Sequence, residues 1–149
     1  IPKLGGKAMD GLYATMTSQH PYLDDATQPL RFWANKYKTR FNEDPTVFSV
    51  YGYGNIDSFV KVAFKTGPNL STDSFIRTMD TMTFPRDMFG TAELSFSPTK
   101  RLGNRFSRLS QIQDGRWKVV SDYVAFSGLK STLQKDGKFV IESEFFKDQ

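Results

Sequence analysis

The stretch that most limits what this chain can become is FSVYGYGNIDSFVKVAFKTG, residues 48–67. Phe48, Val50 and Tyr51 are β-forming types, and glycines then alternate with Tyr53. From Ile56 onward Phe59, Val60, Ala63 and Phe64 recur at helical spacing. Gly67 stands where a left-handed cap is wanted, and Lys65 suits the negative end of the helix dipole. The pattern predicts a strand end, an exposed aromatic loop kept thin by Gly52 and Gly54, and a buried helix. In open α/β folds ligands gather at such carboxyl ends of strands, because loop side chains and helix amides converge there. Tyr51 and Tyr53 are therefore candidate walls of an opening.

The flanking segments extend the α/β reading. Gly11–Thr17 alternates as a short strand and runs into SQHPYLDDATQP, a turn-rich second loop at a strand end that holds His20, the single histidine. Thr27 and Pro29 start a helix whose apolar stripe is Leu30, Trp33, Ala34, Tyr37 and Phe41, and Pro45 separates it from the central stretch. Pro68 stops the central helix, Ser71 or Thr72 caps another over Asp73–Met82, and Thr91–Ser97 alternates as a strand. Asp114-Gly115 and Asp136-Gly137 each sit between β-type runs and predict two hairpins, since glycine accepts the positive φ of the primed turns.

Composition removes several function classes. With 38% apolar and 15% aromatic residues, the chain carries ample material for a packed core. It has no cysteine, which excludes disulfides, a thiol nucleophile and a thiolate metal site. One histidine and scattered carboxylates offer no metal-ligand cluster, no G-x-S-x-G elbow is present, and the GYG turn lacks a phosphate-cradling lysine. The expectation is a non-enzyme without cofactor or metal; the enzymatic alternative would have to use His20 as base. Net charge of +4 is mild. Arg31, Lys36, Lys38 and Arg40 read as a solvated helix face, and Lys100, Arg101, Arg105 and Arg108 as a loop between strands, with a functional patch as the alternative, and no nucleic-acid partner is expected. No apolar run approaches the roughly 18 residues of a membrane span, and the N-terminus lacks a signal-peptide pattern. Two aromatic, polar loops remain, one with Gln19, His20 and Tyr22 and one with Tyr51 and Tyr53. Such loops suit capture of a small planar or amphiphilic molecule by stacking and hydrogen bonds.

The order of these elements is less generic than any one of them. LYATMTSQHPY, then FWANKYKTRFNEDPTVFSVYGYGNIDSFVKVAFKTGP, then RLSQIQDGRWKVVSDY resembles the C-terminal half of type I periplasmic solute-binding proteins, the extracellular receptors of branched-chain amino acid ABC transporters. The resemblance covers roughly Gly5–Val124. It implies Rossmann-like three-layer α/β lobes, with residues 1–124 contributing to both lobes and 125–149 forming a C-terminal extension with a possible hairpin. It also implies that the chain is an incomplete two-lobe protein whose N-terminal part is missing, an expectation its start at Ile1 without an initiator Met shares. The implied function is capture of a small molecule for a membrane permease, in the periplasm or outside the cell, with a membrane-associated lipoprotein as one form. A sensor of the same fold without a transport role is the alternative. Gln19, His20, Tyr22, Tyr51 and Tyr53 are the implied ligand contacts. Gly54 stands where the family usually has Asp, which weighs against an amino acid's ammonium and, with the aromatic content, toward an aromatic carboxylate.

Overall fold

The computed structural model describes residues 5–125, 130–133 and 139–142. A 3-10 turn at Gly6–Met9 leads into strand β1 (Tyr13–Met16), followed by three helices, α1 (Gln28–Phe41), α2 (Val47–Thr66) and α3 (Thr72–Met79). Strands β2 (Thr83–Phe84), β3 (Leu94–Ser95), β4 (Phe106–Gln113), β5 (Arg116–Val119), β6 (Val124–Ala125), β7 (Lys130–Leu133) and β8 (Phe139–Glu142) complete the order.

The helix starts follow local chemistry. Thr27 is the extended N-cap of α1 with Pro29 in its first turn, and Asn42 closes the helix at φ 54° in the left-handed region. Ser71 caps α3, its hydroxyl accepting the Ser74 N–H at 3.2 Å while the Ser71 N–H donates to Ser74 Oγ at 2.8 Å. That helix ends at Met79, three residues short of the expectation, because the Thr81 and Met82 amides turn back onto Thr78 and Met79.

The centre of the chain corrects the sequence reading. Phe48, Val50, Tyr51 and Tyr53 belong to no strand or loop; α2 is continuous from Val47 to Thr66 and contains Gly52 and Gly54. Thr46, extended, begins it and donates its N–H to Ser49 Oγ at 3.1 Å. Two glycines inside a helix cost about 0.5–1 kcal/mol each, whereas burying one valine recovers about 1.5–3 kcal/mol. Val50 and Val62 are 2% and 0% exposed, so packing overrides local preference. Gly67 ends α2 with φ 81° and donates its N–H to Ala63.

Val50 packs with Leu30 of α1 and with Phe89, and Trp33 and Met88 close this core from the side. Phe89 lies in a turn without periodicity. Asp87 Oδ1 accepts the N–H groups of Phe89 and Thr91, both at 2.9 Å, and Gly90 follows at φ 67°, which drives the ring inward until 1% of Phe89 is exposed.

β4 is the middle of the main sheet, with β1 on one side and β5 and β6 on the other. The register sets Tyr13 opposite Gln111 and Met16 opposite Arg108, then Ser110 opposite Val119 and Gln113 opposite Arg116. Asp114 and Gly115 join β4 to β5 at φ 53° and 70°, the primed turn the sequence called for. β2 pairs β3, and of the expected Thr91–Ser97 strand Leu94–Ser95 forms β3 while Ser97 makes an isolated bridge to Lys100. β7 pairs β8 in register Lys130↔Glu142, while the Asp136-Gly137 turn lies outside the described residues. Every strand pair among the described residues is antiparallel.

Glycine substitutions separate a helical from a looped centre. Cβ atoms added at Gly52 or Gly54 meet nothing within 4 Å, so Gly52→Ala and Gly54→Ala should each raise stability by about 0.5–1 kcal/mol. At Gly90 an added Cβ would sit 2.6 Å from Arg108 Nη2 on a positive-φ residue, so Gly90→Ala should lower it. Thermal unfolding of the three variants reads all three signs; a destabilised Gly52→Ala would return that segment to a loop.

Candidate functional site

The loop after β1 is fixed at two places. At its start Ser18 is buried with its hydroxyl 2.6 Å from that of Thr91, and the Gln19 N–H donates to the Phe89 carbonyl at 3.0 Å. Further on, Tyr22 reaches the β4–β5 hairpin: its hydroxyl oxygen accepts the Trp117 N–H at 2.7 Å. The Arg116 guanidinium lies 4.0 Å above the Tyr22 ring and holds both oxygens of Asp24, at 2.5 and 2.8 Å. Between these anchors the His20 ring sits 4.5 Å from that of Tyr22, tilted by 51°. Burial pushes the Tyr22 phenol above its ordinary range, so the hydroxyl stays protonated. Arg116 holds the Asp24 carboxyl below its usual value by hydrogen bonding to the charged form, and is itself raised by the same pair.

Tyr51 and Tyr53 are divided by the helix that replaced the expected loop. Residues two apart share a face of a strand but stand about 200° apart around a helix. Tyr51 turns toward the first loop, its hydroxyl 3.3 Å from Thr17 Oγ1. There it lines an open cleft of about 820 Å³ together with Thr17, Ser18, Lys61, Phe84 and Thr91. Tyr53 turns the other way, edge-on to Trp33 at 5.6 Å and to Phe89 at 5.8 Å. It lines a separate groove of about 1300 Å³ between α1 and α2, with Phe32, Trp33, Tyr37 and Ile56.

Of the five candidate contacts, then, Gln19, His20 and Tyr22 share one loop, and Tyr51 touches the stem of that loop through Thr17. Tyr53 belongs to the aromatic cluster of the core. Thr17, Phe89 and Arg116 were missed as parts of this neighbourhood; nothing in a turn or a strand end marks them without the tertiary pairing. Arg108, grouped by charge with a basic loop but also part of the SRLSQIQ run before the Asp114-Gly115 turn, is a buried residue of β4. Among the described residues no group of three His, Asp or Glu side chains is placed to hold a metal ion, and no helix is long and apolar enough to cross a membrane.

Two changes test how the loop is pinned. Tyr22→Phe leaves the part-buried Trp117 N–H without its acceptor and should cost about 1–2 kcal/mol in thermal or denaturant unfolding. The Asp24 pair acts through pH. Because the folded carboxyl is held below its unfolded value, its contribution is complete above about pH 5 and fades as pH falls below about 4. Melting temperature should therefore fall less steeply with acid in Asp24→Asn than in the parent protein, and parallel acid limbs would show that the pair adds nothing.

The sequence model of a family described as periplasmic binding protein matches residues 1–116. No curated protein matches the chain. Several solved structures share its fold. A branched-chain amino acid ABC transporter protein from Thermus thermophilus with bound valine superposes with a TM-score of 0.65 at 14% identity, over 84% of this chain and 36% of that one. A solute-binding protein of an ABC transporter from Rhodopseudomonas palustris BisB5, in complex with 3,4-dihydroxybenzoic acid, gives 0.59 at 20% identity, over 80% and 31%. A second from R. palustris, in complex with benzoate, gives 0.60 at 15% identity, over 85% and 34%. The chain thus spans about a third of the length of each of these structures. Its mixed helices and strands are part of the type I periplasmic-binding-protein fold. With the family matched over most of its length, the chain belongs to the periplasmic binding protein family.

Proposed function

We propose that this chain is part of a solute-binding receptor of an ABC transporter, which closes on a small acid and delivers it to a membrane permease from the periplasm or the cell exterior. The observation that carries the reading is family membership together with the cleft that Tyr51 lines with Thr17 and Ser18, where the loop that goes on to Gln19, His20 and Tyr22 begins. Fold relatives hold valine, benzoate and 3,4-dihydroxybenzoate, all small carboxylic acids. An aromatic or branched apolar body suits a cleft with an aromatic wall, where burial supplies most of the affinity and a few polar groups fix orientation. In this reading Gln19, His20, Tyr22 and Tyr51 contact the ligand. Tyr22 accepts from Trp117 and so keeps its own hydroxyl proton to donate. Tyr53 contributes from the far face of α2, by holding Trp33 and Phe89 or by meeting a ligand in the second groove. Gly54, in place of an acid, favours an aromatic carboxylate over an amino acid.

The same reading supplies a partner for the large apolar side chains that α2 exposes. Phe48, Phe59 and Phe64 are 78%, 52% and 83% exposed, more than a solvated helix face explains. The remainder of the two-lobe fold is the partner that covers them. Residues 125–149, with the β7–β8 pair, form an extension beyond the matched family segment.

Calorimetric titration with benzoate, 3,4-dihydroxybenzoate and valine tests the ligand class, and saturable binding of at least one acid is the expected result. Tyr51→Ala should weaken that binding by about 1–3 kcal/mol, the scale of a lost aromatic contact with its buried area. The exposed face makes a separate forecast: the 149-residue chain alone should sediment as associated species. A monomer with a single cooperative unfolding transition would remove the need for a covering partner.

A further inference from the structure

Strand β4 carries an arginine where a strand centre normally carries an apolar residue. Arg108 is 8% exposed, and its Nε and Nη2 have no hydrogen-bond partner. Ser110, two residues on and therefore on the same face, is fully buried with an unbonded hydroxyl. Folded proteins avoid such a group, because a desolvated charge is unfavourable unless a counter-charge and hydrogen bonds replace the lost water. What Arg108 has is the ring of Tyr123, with its guanidinium carbon 4.9 Å from the ring centre. Arg86, which is exposed, lies at the same 4.9 Å from the same ring.

Two cations thus share one phenol, and neither makes an ion pair with any described carboxylate. The acid next to Arg86 is already engaged, since Asp87 Oδ1 accepts the Phe89 and Thr91 amides. Tyr123 is held in place, its one hydroxyl proton shared between the carbonyls of Thr17, at 2.9 Å, and Gly90. Gly90 is shaped around the arrangement, for any side chain there would meet the Arg108 guanidinium. The cleft begins at the neighbours of the stack: Thr17, whose carbonyl Tyr123 engages, lines it, and so do Pro85 and Asp87, the residues before and after Arg86 in the chain.

We propose that Arg86 and Arg108, aligned on Tyr123, form a carboxylate subsite that takes the acid group of the solute whose apolar body lies against Tyr51. This rests on the receptor reading. Planar guanidinium forks match the two oxygens of a carboxylate, and stacking on a ring orients the fork before the ligand arrives. Arg86 receives the acid from solvent, and Arg108 supplies the second, desolvated charge whose N–H groups lack partners.

The test uses the protein as its host produces it, with benzoate and its neutral isostere benzamide as probes in calorimetry and acetate as a probe in NMR of the arginine Nε–Hε groups. Benzoate should bind at least about tenfold more tightly than benzamide, the scale of a charge-assisted hydrogen bond. Arg86→Met and Arg108→Met should each abolish that preference. The Arg108→Met protein should melt no lower than the parent, since it loses an unpaired buried charge. Undiminished preference for benzoate in both variants would overturn the subsite and leave the receptor reading standing. If neither probe binds, acetate decides. A saturable shift of the Arg108 Hε resonance that chloride does not produce supports the subsite while counting against aromatic acids as cargo, and an unmoved resonance overturns it.

Discussion

The burial of Phe89 is the contact on which the rest of the structure depends. Its ring meets Leu30 and Val50, one residue from each of the two long helices, and stands edge-on to Trp33 at 4.8 Å. A fully buried aromatic of this kind contributes about 1.5–3 kcal/mol. It also fixes positions: the turn that delivers it carries the Phe89 carbonyl to the Gln19 amide and the Gly90 carbonyl to Tyr123. One inserted ring therefore joins the helices, the loop after β1 and the link beyond β5.

That junction is also where polar chemistry collects. Thr17 offers its hydroxyl to Tyr51 and its carbonyl to Tyr123, Ser18 meets Thr91, and two guanidiniums lie against Tyr123. Both sides of the cleft are mixed: α2 brings Tyr51, Val60 and Phe64 together with Asp57 and Lys61, and the strand ends and turns bring Phe84 and Leu94 together with Thr17 and Thr91. Binding sites commonly join a rigid regular element to irregular backbone in this way. The hairpin contributes from a distance: Arg116 and Trp117 hold Tyr22, so the loop's conformation depends on residues more than ninety positions away in sequence.

Sequence alone determined the elements whose signals are local. The Thr27–Pro29 start and Phe41 end of α1, the Ser71 cap of α3 and the Asp114-Gly115 turn all follow from backbone chemistry within a few residues, and the structure has each of them. The order of motifs also carried the family, since order and spacing persist where individual side chains drift. Only the tertiary structure decided the conformation of residues 48–54. Their β-branched and aromatic types and their glycines argue for strand and loop, yet the helix that forms buries both Val50 and Val62, at about 1.5–3 kcal/mol each against about 1–2 kcal/mol for two helical glycines. That single decision set Tyr51 and Tyr53 on different faces. The tertiary structure likewise decided that Arg108, in a run legible as a strand, is buried, and that Phe89 is core, because no local pattern marks either burial. Each is defined by residues brought from far along the chain, and contacts between distant residues leave no trace in a local pattern.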